Sequence, residues 1–266
     1  MYQHDFTDQM GHTISLNYPP KRIISIVPSQ TELLFYLGLD AEIIGITKFC
    51  NHPAAKVKTT TKIGGTKTFN IDLIRNLKPD LIIGNKEENE KNQIEVVMQE
   101  FPVWMSDISD LNGSLAMIEQ VGALVKRQTE ALLLTRQIRQ PFSAIKRSVN
   151  PLKVAYLIWQ KPYILAAKDT FIDDMLQRCG WQNAFNTQRY PQVTADELQA
   201  TNPDVIMLSS EPFPFRQKHA QAIQQLCPQS QVILVDGEMF SWYGNRLLKA
   251  APYFQQLINQ LNNSLI

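Results

Sequence analysis

Residues 127–148, RQTEALLLTRQIRQPFSAIKRS, carry no strand signal, and their apolar positions recur at roughly helical spacing. On both sides the pattern changes to β-branched apolar runs alternating with amphipathic stretches. A helix over this segment would reach about 33 Å at ~1.5 Å per residue. Pro141 would kink it or mark a joint. Two readings are open: a surface helix of one domain, or a strut between two lobes. The flanking pattern favours the strut. The expected organisation is an N-terminal lobe over 1–124, a connecting helix over 125–150 and a C-terminal lobe over 151–266.

Before the strut, residues 1–20 read as a short strand or hairpin turning at Gly11 and stopped by Pro19-Pro20. RIISIV (22–27) is a continuous apolar run suited to a strand buried on both faces. PSQTELLFYLG reads as a helix, with Ser29 and Glu32 spaced as a capping box and Gly38 just past its end. Strands at 42–46, 81–84 and 103–105 alternate with helices near 70–77, 88–100 and 114–124, and a Thr/Lys/Gly-rich loop fills 58–68. After the strut the pattern starts over. Strands are expected at 154–159, 204–208 and 231–236, and helices at 170–180, 194–200, 216–226 and 245–262. Such alternation defines an α/β fold with mainly parallel sheets, here in two lobes. NIDLIRNLKPDLIIG (70–84) and TADELQATNPDVIML (194–208) share one plan: a polar cap, an acid, a short helix, Pro-Asp, then a strand. Asp72 lies seven residues before Pro79, and Asp196 seven before Pro203.

Of 266 residues, 26 are basic and 25 acidic, so a nucleic-acid partner, which needs a basic face, is not expected. No apolar stretch approaches the ~20 residues of a membrane helix. The first residues hold no secretory signal, so the chain as it stands reads as cytoplasmic unless a signal was removed. The three cysteines, Cys50, Cys179 and Cys227, do not form a disulfide framework. Cys50-x-His52 is too sparse for a closed zinc site, which needs three or four ligands, and no metal site is expected. No nucleophile-base motif, zinc-protease motif or glycine-rich dinucleotide turn occurs, and no catalytic residue is assigned.

KRIISIVPSQTELLFYLGL, IIGIT…HP, IGGTKTFNIDLIRNLKPDLIIG, YPQVTADELQATNPDVIML and VDGEMFSWYGNR together resemble the helical-backbone (class III) periplasmic-type binding proteins of ABC importers. Within that family the resemblance is to the cobalamin (vitamin B12) binders, and it runs from residue 20 nearly to the end. It implies two α/β lobes on one long helix, a ligand cleft between them, a monomer, no enzymatic activity and no intrinsic cofactor. The implied ligand is a metal chelate, a corrinoid first. A ferric siderophore, haem, or a cytoplasmic sensing or chelate-handling role is the alternative.

Carried over residue by residue, the resemblance puts His52, Trp159 and Tyr190 where cobalamin binders keep ligand-clasping aromatics, and Lys67 where they keep another. It puts Glu238, Phe240, Trp242 and Tyr243 in the late cleft loop; Arg246, close behind, has two readings, a contact to a carboxylate or phosphate in the cleft or a cap on a neighbouring strand. Flat aromatic faces suit planar or macrocyclic ligands. The run NKEEN (85–89) falls at the expected rim, and reads otherwise as a solvated loop. The resemblance also implies docking on the arginines of permease subunits through one acid per lobe, Asp72 and Asp196, with Glu197 beside the second. The residues themselves leave a second reading, since acids in a first helical turn complement the macrodipole.

Overall fold

The computed structural model describes residues 2–149 and 151–264. The chain forms two compact units. One is built mainly from residues up to Gln137 and the other mainly from Ile138 onward; the short stretch Tyr243–Arg246 belongs to the first and Ser109–Leu111 to the second.

The first unit opens with an antiparallel hairpin, β1 (Tyr2–Thr7) and β2 (Thr13–Tyr18), turning through Gly11 as the sequence implies. It continues through β3 (Ile23–Ser25), α1 (Pro28–Tyr36), β4 (Ile43–Ile46), α2 (Ala54–Thr59), α3 (Ile71–Leu77), β5 (Leu81–Asn85), α4 (Lys91–Met98), β6 (Val103–Ser106) and α5 (Leu111–Leu124). The four-stranded parallel sheet has the order β4-β3-β5-β6. Every residue of β5 and β6 is buried, which is why their sequences read as unbroken runs. Ile24, Ile26, Ile82, Val103 and Met105 pack with Ile63, Phe69, Ile74, Ile94 and Val97.

β6 is the edge of that sheet, and the hairpin turn covers it. The buried Asp8 carboxylate accepts from Met105 N at 3.2 Å and from Met10 N and His12 N, while Gln9 N donates to Met105 O. An open strand edge is thereby closed to further pairing.

α6 (Gln128–Ser143) carries the chain from the first unit into the second, with Pro141 inside its last turn. It ends at Ser143 rather than running on to 148. Beyond it, Lys146 N donates to Gln255 Oε1 and Ser148 N to Cys179 O, so these amides have tertiary partners in place of helical carbonyls.

The second unit holds β7 (Lys153–Trp159), β8 (Tyr163–Leu165), α7 (Phe171–Arg178), β9 (Gln182–Asn183), β10 (Gln192–Val193), α8 (Ala195–Thr201), β11 (Val205–Ser209), α9 (Gln217–Leu226), β12 (Gln231–Val235), α10 (Gly237–Ser241) and α11 (Leu247–Ser264). Its sheet has the order β10-β8-β7-β11-β12, with β9 also on β7; β7, β11 and β12 are parallel. Ala155, Leu157, Ile206 and Leu208 alternate onto one face and pack under Leu198, Phe215, Ala220 and Ile223.

The internal echo is realised atom by atom. Asn70 caps α3 by accepting from Leu73 N, and Thr194 caps α8 by accepting from Glu197 N. Each helix closes on a left-handed residue, Lys78 (φ 48°) and Asn202 (φ 46°). Asp80 then accepts from Arg22 N at 2.8 Å and returns its own amide to Arg22 O; Asp204 does the same with Lys153 N, at 2.7 Å, and Lys153 O. The basic side chains return as well: Arg22 Nε donates to the carbonyls of Leu77 and Lys78, and Lys153 Nζ to that of Thr201. In both units Pro-Asp clamps a parallel strand to its neighbour, and a cation satisfies the end of the preceding helix.

Candidate functional site

Ligands of open parallel sheets collect beyond the C-terminal strand ends. In the first unit those ends lead into the loops after β4 and β5. His52 follows β4 and is half-buried. Cys50, two residues earlier, is 3% exposed, and its Sγ lies 3.2 Å from Thr31 Oγ1 and 3.3 Å from Thr47 Oγ1. It is a buried thiol among hydroxyls. Among the described residues no group of three or more His, Cys, Asp or Glu is placed to hold a metal ion.

Lys67 is exposed, and its Nζ donates to the carbonyl of Glu87. It thus ties the Thr/Lys/Gly-rich loop to the loop after β5. That second loop is not simply solvated. Asn85 and Asn89 are 1% and 5% exposed; Asn85 Nδ2 donates to Ser106 Oγ, Asn89 Nδ2 donates to Ile26 O and Thr66 O, and Asn85 Oδ1 accepts from Glu87 N and Glu88 N. Gly64 serves the loop's own fold, since a Cβ there would lie 2.7 Å from Phe69 Cα, at φ +120°.

In the second unit, Trp159 ends β7 and keeps 39% of its surface exposed; Tyr190 keeps 37%, with the Arg189 guanidinium 5.8 Å from its ring centre. Exposed aromatics at those positions are available to a ligand. Glu238, in the first turn of α10, is half-buried.

The remaining residues of the late loop are engaged within the protein. Phe240 is fully buried, with Tyr156 at 5.0 Å and Phe254 at 4.7 Å between ring centres, so the expectation of a ligand-facing ring is corrected: it is core. Trp242 is 6% exposed, and its Nε1 donates to Glu211 Oε1 at 2.7 Å. Tyr243 is also 6% exposed. Arg246 is 5% exposed and forms a two-pronged ion pair with Glu32, Nη2 to Oε1 at 2.9 Å and Nε to Oε2 at 3.1 Å. Glu32 is therefore no capping-box residue. Val27 is the N-cap of α1, Pro28 opens the helix, and Ser29 is buried.

Glu211 was not singled out by sequence. Its Oε1 accepts from both Ser241 Oγ and Trp242 Nε1, and burial, aided by Glu238 and Asp236, pushes its carboxyl above the usual range. A carboxyl raised in the fold binds its proton more tightly there than in the unfolded chain. Stability therefore falls as pH rises from the unfolded value through the folded one. Glu211→Gln keeps the acceptor and removes the charge. Its thermal midpoint at pH 7 should equal or exceed that of the wild type, with the difference closing on acidification. A drop at pH 7 would show that the charge itself is needed.

The acids of the repeated helices differ. Asp72 is exposed and pairs with Arg75 at 2.9 Å, and Arg75 also grips Glu100. Asp196 is exposed. Glu197 is the capping-box acid of α8, its carboxyl held below the usual range by the Thr194 amide and hydroxyl.

A family profile described as periplasmic binding protein matches residues 23–228. The vitamin B12-binding protein of Pectobacterium atrosepticum is 25% identical over 253 residues, covering 91% of this chain and 88% of its own. Among solved structures, the periplasmic vitamin B12 binding protein BtuF of Vibrio cholerae superposes with a TM-score of 0.77 at 23% identity, covering 91% of this chain and 98% of its own. The periplasmic haem-binding protein RhuT of Roseiflexus sp. RS-1 also gives a TM-score of 0.77, at 20% identity, over 91% and 98% of the two chains. Two α/β units whose central strands are parallel are the fold shared with these structures, and members of the matched family bind solutes and are not enzymes. The chain belongs to the periplasmic binding protein family. Among the described residues no helix is long and apolar enough to cross a membrane.

Proposed function

We propose that the chain is the solute-binding component of an ABC-type importer and that its ligand is a metal chelate with a broad ring face, a corrinoid in the first place. The observation that carries this is Trp159, a large aromatic held exposed at the C-terminal end of a central parallel strand. Relatives named vitamin B12-binding proteins match over nearly the whole chain, which supports the same ligand class. Haem is the second reading, favoured by the equal fold likeness to a haem-binding protein.

The ligand-contacting residues are His52 and Lys67 in the first unit, and Trp159, Tyr190 and Glu238 in the second. Trp242, Tyr243 and Arg246 support the late loop from within. Neutral imidazole is a ready axial donor, so His52 suits a ligand that brings its own metal. Asp72 and Asp196, matching exposed carboxylates of the repeated helices, are the permease contacts; Glu197 holds its helix start. Titration with cobalamin, cobinamide, haem and ferric siderophores, followed by tryptophan quenching, tests the reading. A dissociation constant below about 1 μM, roughly −8 kcal/mol, is expected for at least one of them. Failure to bind any would overturn it.

A further inference from the structure

β7 and β11 are neighbouring parallel strands, paired through Leu157 and Leu208. Beyond the last strand residue, Ser209, the chain runs Ser-Glu-Pro-Phe-Pro-Phe. Phe213 N donates to Ile158 O at 3.3 Å, which pins this segment beside the end of β7. The Phe213 ring centre lies 5.6 Å from that of Trp159, the planes inclined at 68°. Behind it stand Phe215 at 4.8 Å and His219 at 5.2 Å. Phe215 is buried, and His219 Nδ1 accepts from Arg216 N, which fixes its ring. Phe213 itself is only half-buried. The two rings therefore meet as the walls of a corner, and one wall is braced on its far side.

We infer that Phe213 is a further ligand-binding residue, the second wall of an aromatic corner with Trp159 that seats the flat face and rim of a planar or macrocyclic ring. This rests on the proposed function. A stacked ring needs one broad apolar face, which Trp159 offers; an inclined second ring fixes where the ligand stops. Aromatic neighbours at such distances favour inclined over parallel faces, so the corner holds its shape without ligand. Proline on each side of Phe213 restricts the backbone that carries it.

Wild type, Phe213→Ala, Phe213→Leu and Phe213→Tyr are titrated with cyanocobalamin, cobinamide and haemin, read by the absorbance of each probe, with thermal midpoints recorded alongside. Alanine and leucine are expected to weaken the best probe about tenfold. Tyrosine should stay within about threefold. Leucine keeps the apolar volume, so its loss of affinity with an unchanged midpoint would separate ring contact from packing. The double variant W159A/F213A should lose less than the product of its single variants, because each wall depends on the other. Undiminished binding by Phe213→Leu, with the wild type binding, overturns the inference and leaves the proposed function standing. A wild type that binds none of the three overturns the inference, and one that also binds no ferric siderophore overturns the proposed function with it.

Discussion

Alanine in place of Phe240 is expected to lower the unfolding free energy by about 3–5 kcal/mol, the loss seen when a buried aromatic is truncated in a core that closes only in part. The ring is fully buried, and its neighbours Tyr156, Tyr253 and Phe254 are themselves large and fixed by packing. Urea unfolding measures the effect directly. Leucine, which refills much of the space, should cost distinctly less. Ligand affinity of the folded fraction should change little, because the ring has no surface to offer. A Phe240→Ala protein with nearly wild-type stability and no affinity would return the ring to the binding site.

Phe240 also marks where sequence stops informing the site. A resemblance places a stretch; it does not rotate a side chain. Within α10 each residue turns by about 100°, so Glu238 stays half-buried while Phe240, two positions on, points into the core. The late loop could be located from its sequence, but not the direction of each ring. Phe213 is hidden in the sequence for a different reason. Its Pro-Phe-Pro setting reads as an ordinary loop, and only the pairing of β7 with β11 brings it beside Trp159.

The elements themselves were more legible. Buried parallel strands announce themselves as unbroken β-branched runs, and Gly11, at the hairpin turn, and Gly38, just past its helix, both stand at positive φ. The Pro-Asp echo is readable because the same short plan recurs in both halves; the strand partners of its aspartates, Arg22 and Lys153, lie more than 50 residues away and are not. Two local expectations lost to distant partners. The helix through Pro141 stopped at Ser143, where amides found tertiary acceptors. Glu32, spaced for a capping box with Ser29, instead meets an arginine 214 residues away.

That arginine carries the second large expected effect. Arg246→Ala should destabilise the protein by roughly 3–5 kcal/mol, because it leaves the Glu32 carboxylate buried without its cation. The side chains are 6% and 12% exposed, so water does little to replace the lost partner, and added salt should screen the intact pair weakly. Glu32→Ala should also destabilise, because it removes the carboxylate that faces the guanidinium. The pair as a whole is another matter. Desolvating two charges offsets most of their attraction, so an apolar pair of similar volume, Glu32→Leu with Arg246→Met, should recover most of what either single truncation loses. Denaturant unfolding of the singles and the double gives the coupling. The double also separates structure from recognition. If Arg246 serves only to hold the Tyr243–Arg246 stretch in the first unit, the recovered double binds ligand as the wild type does. If its charge reads an anionic group of the ligand, the double is stable and binds weakly, and the arginine belongs with the ligand-contacting residues after all.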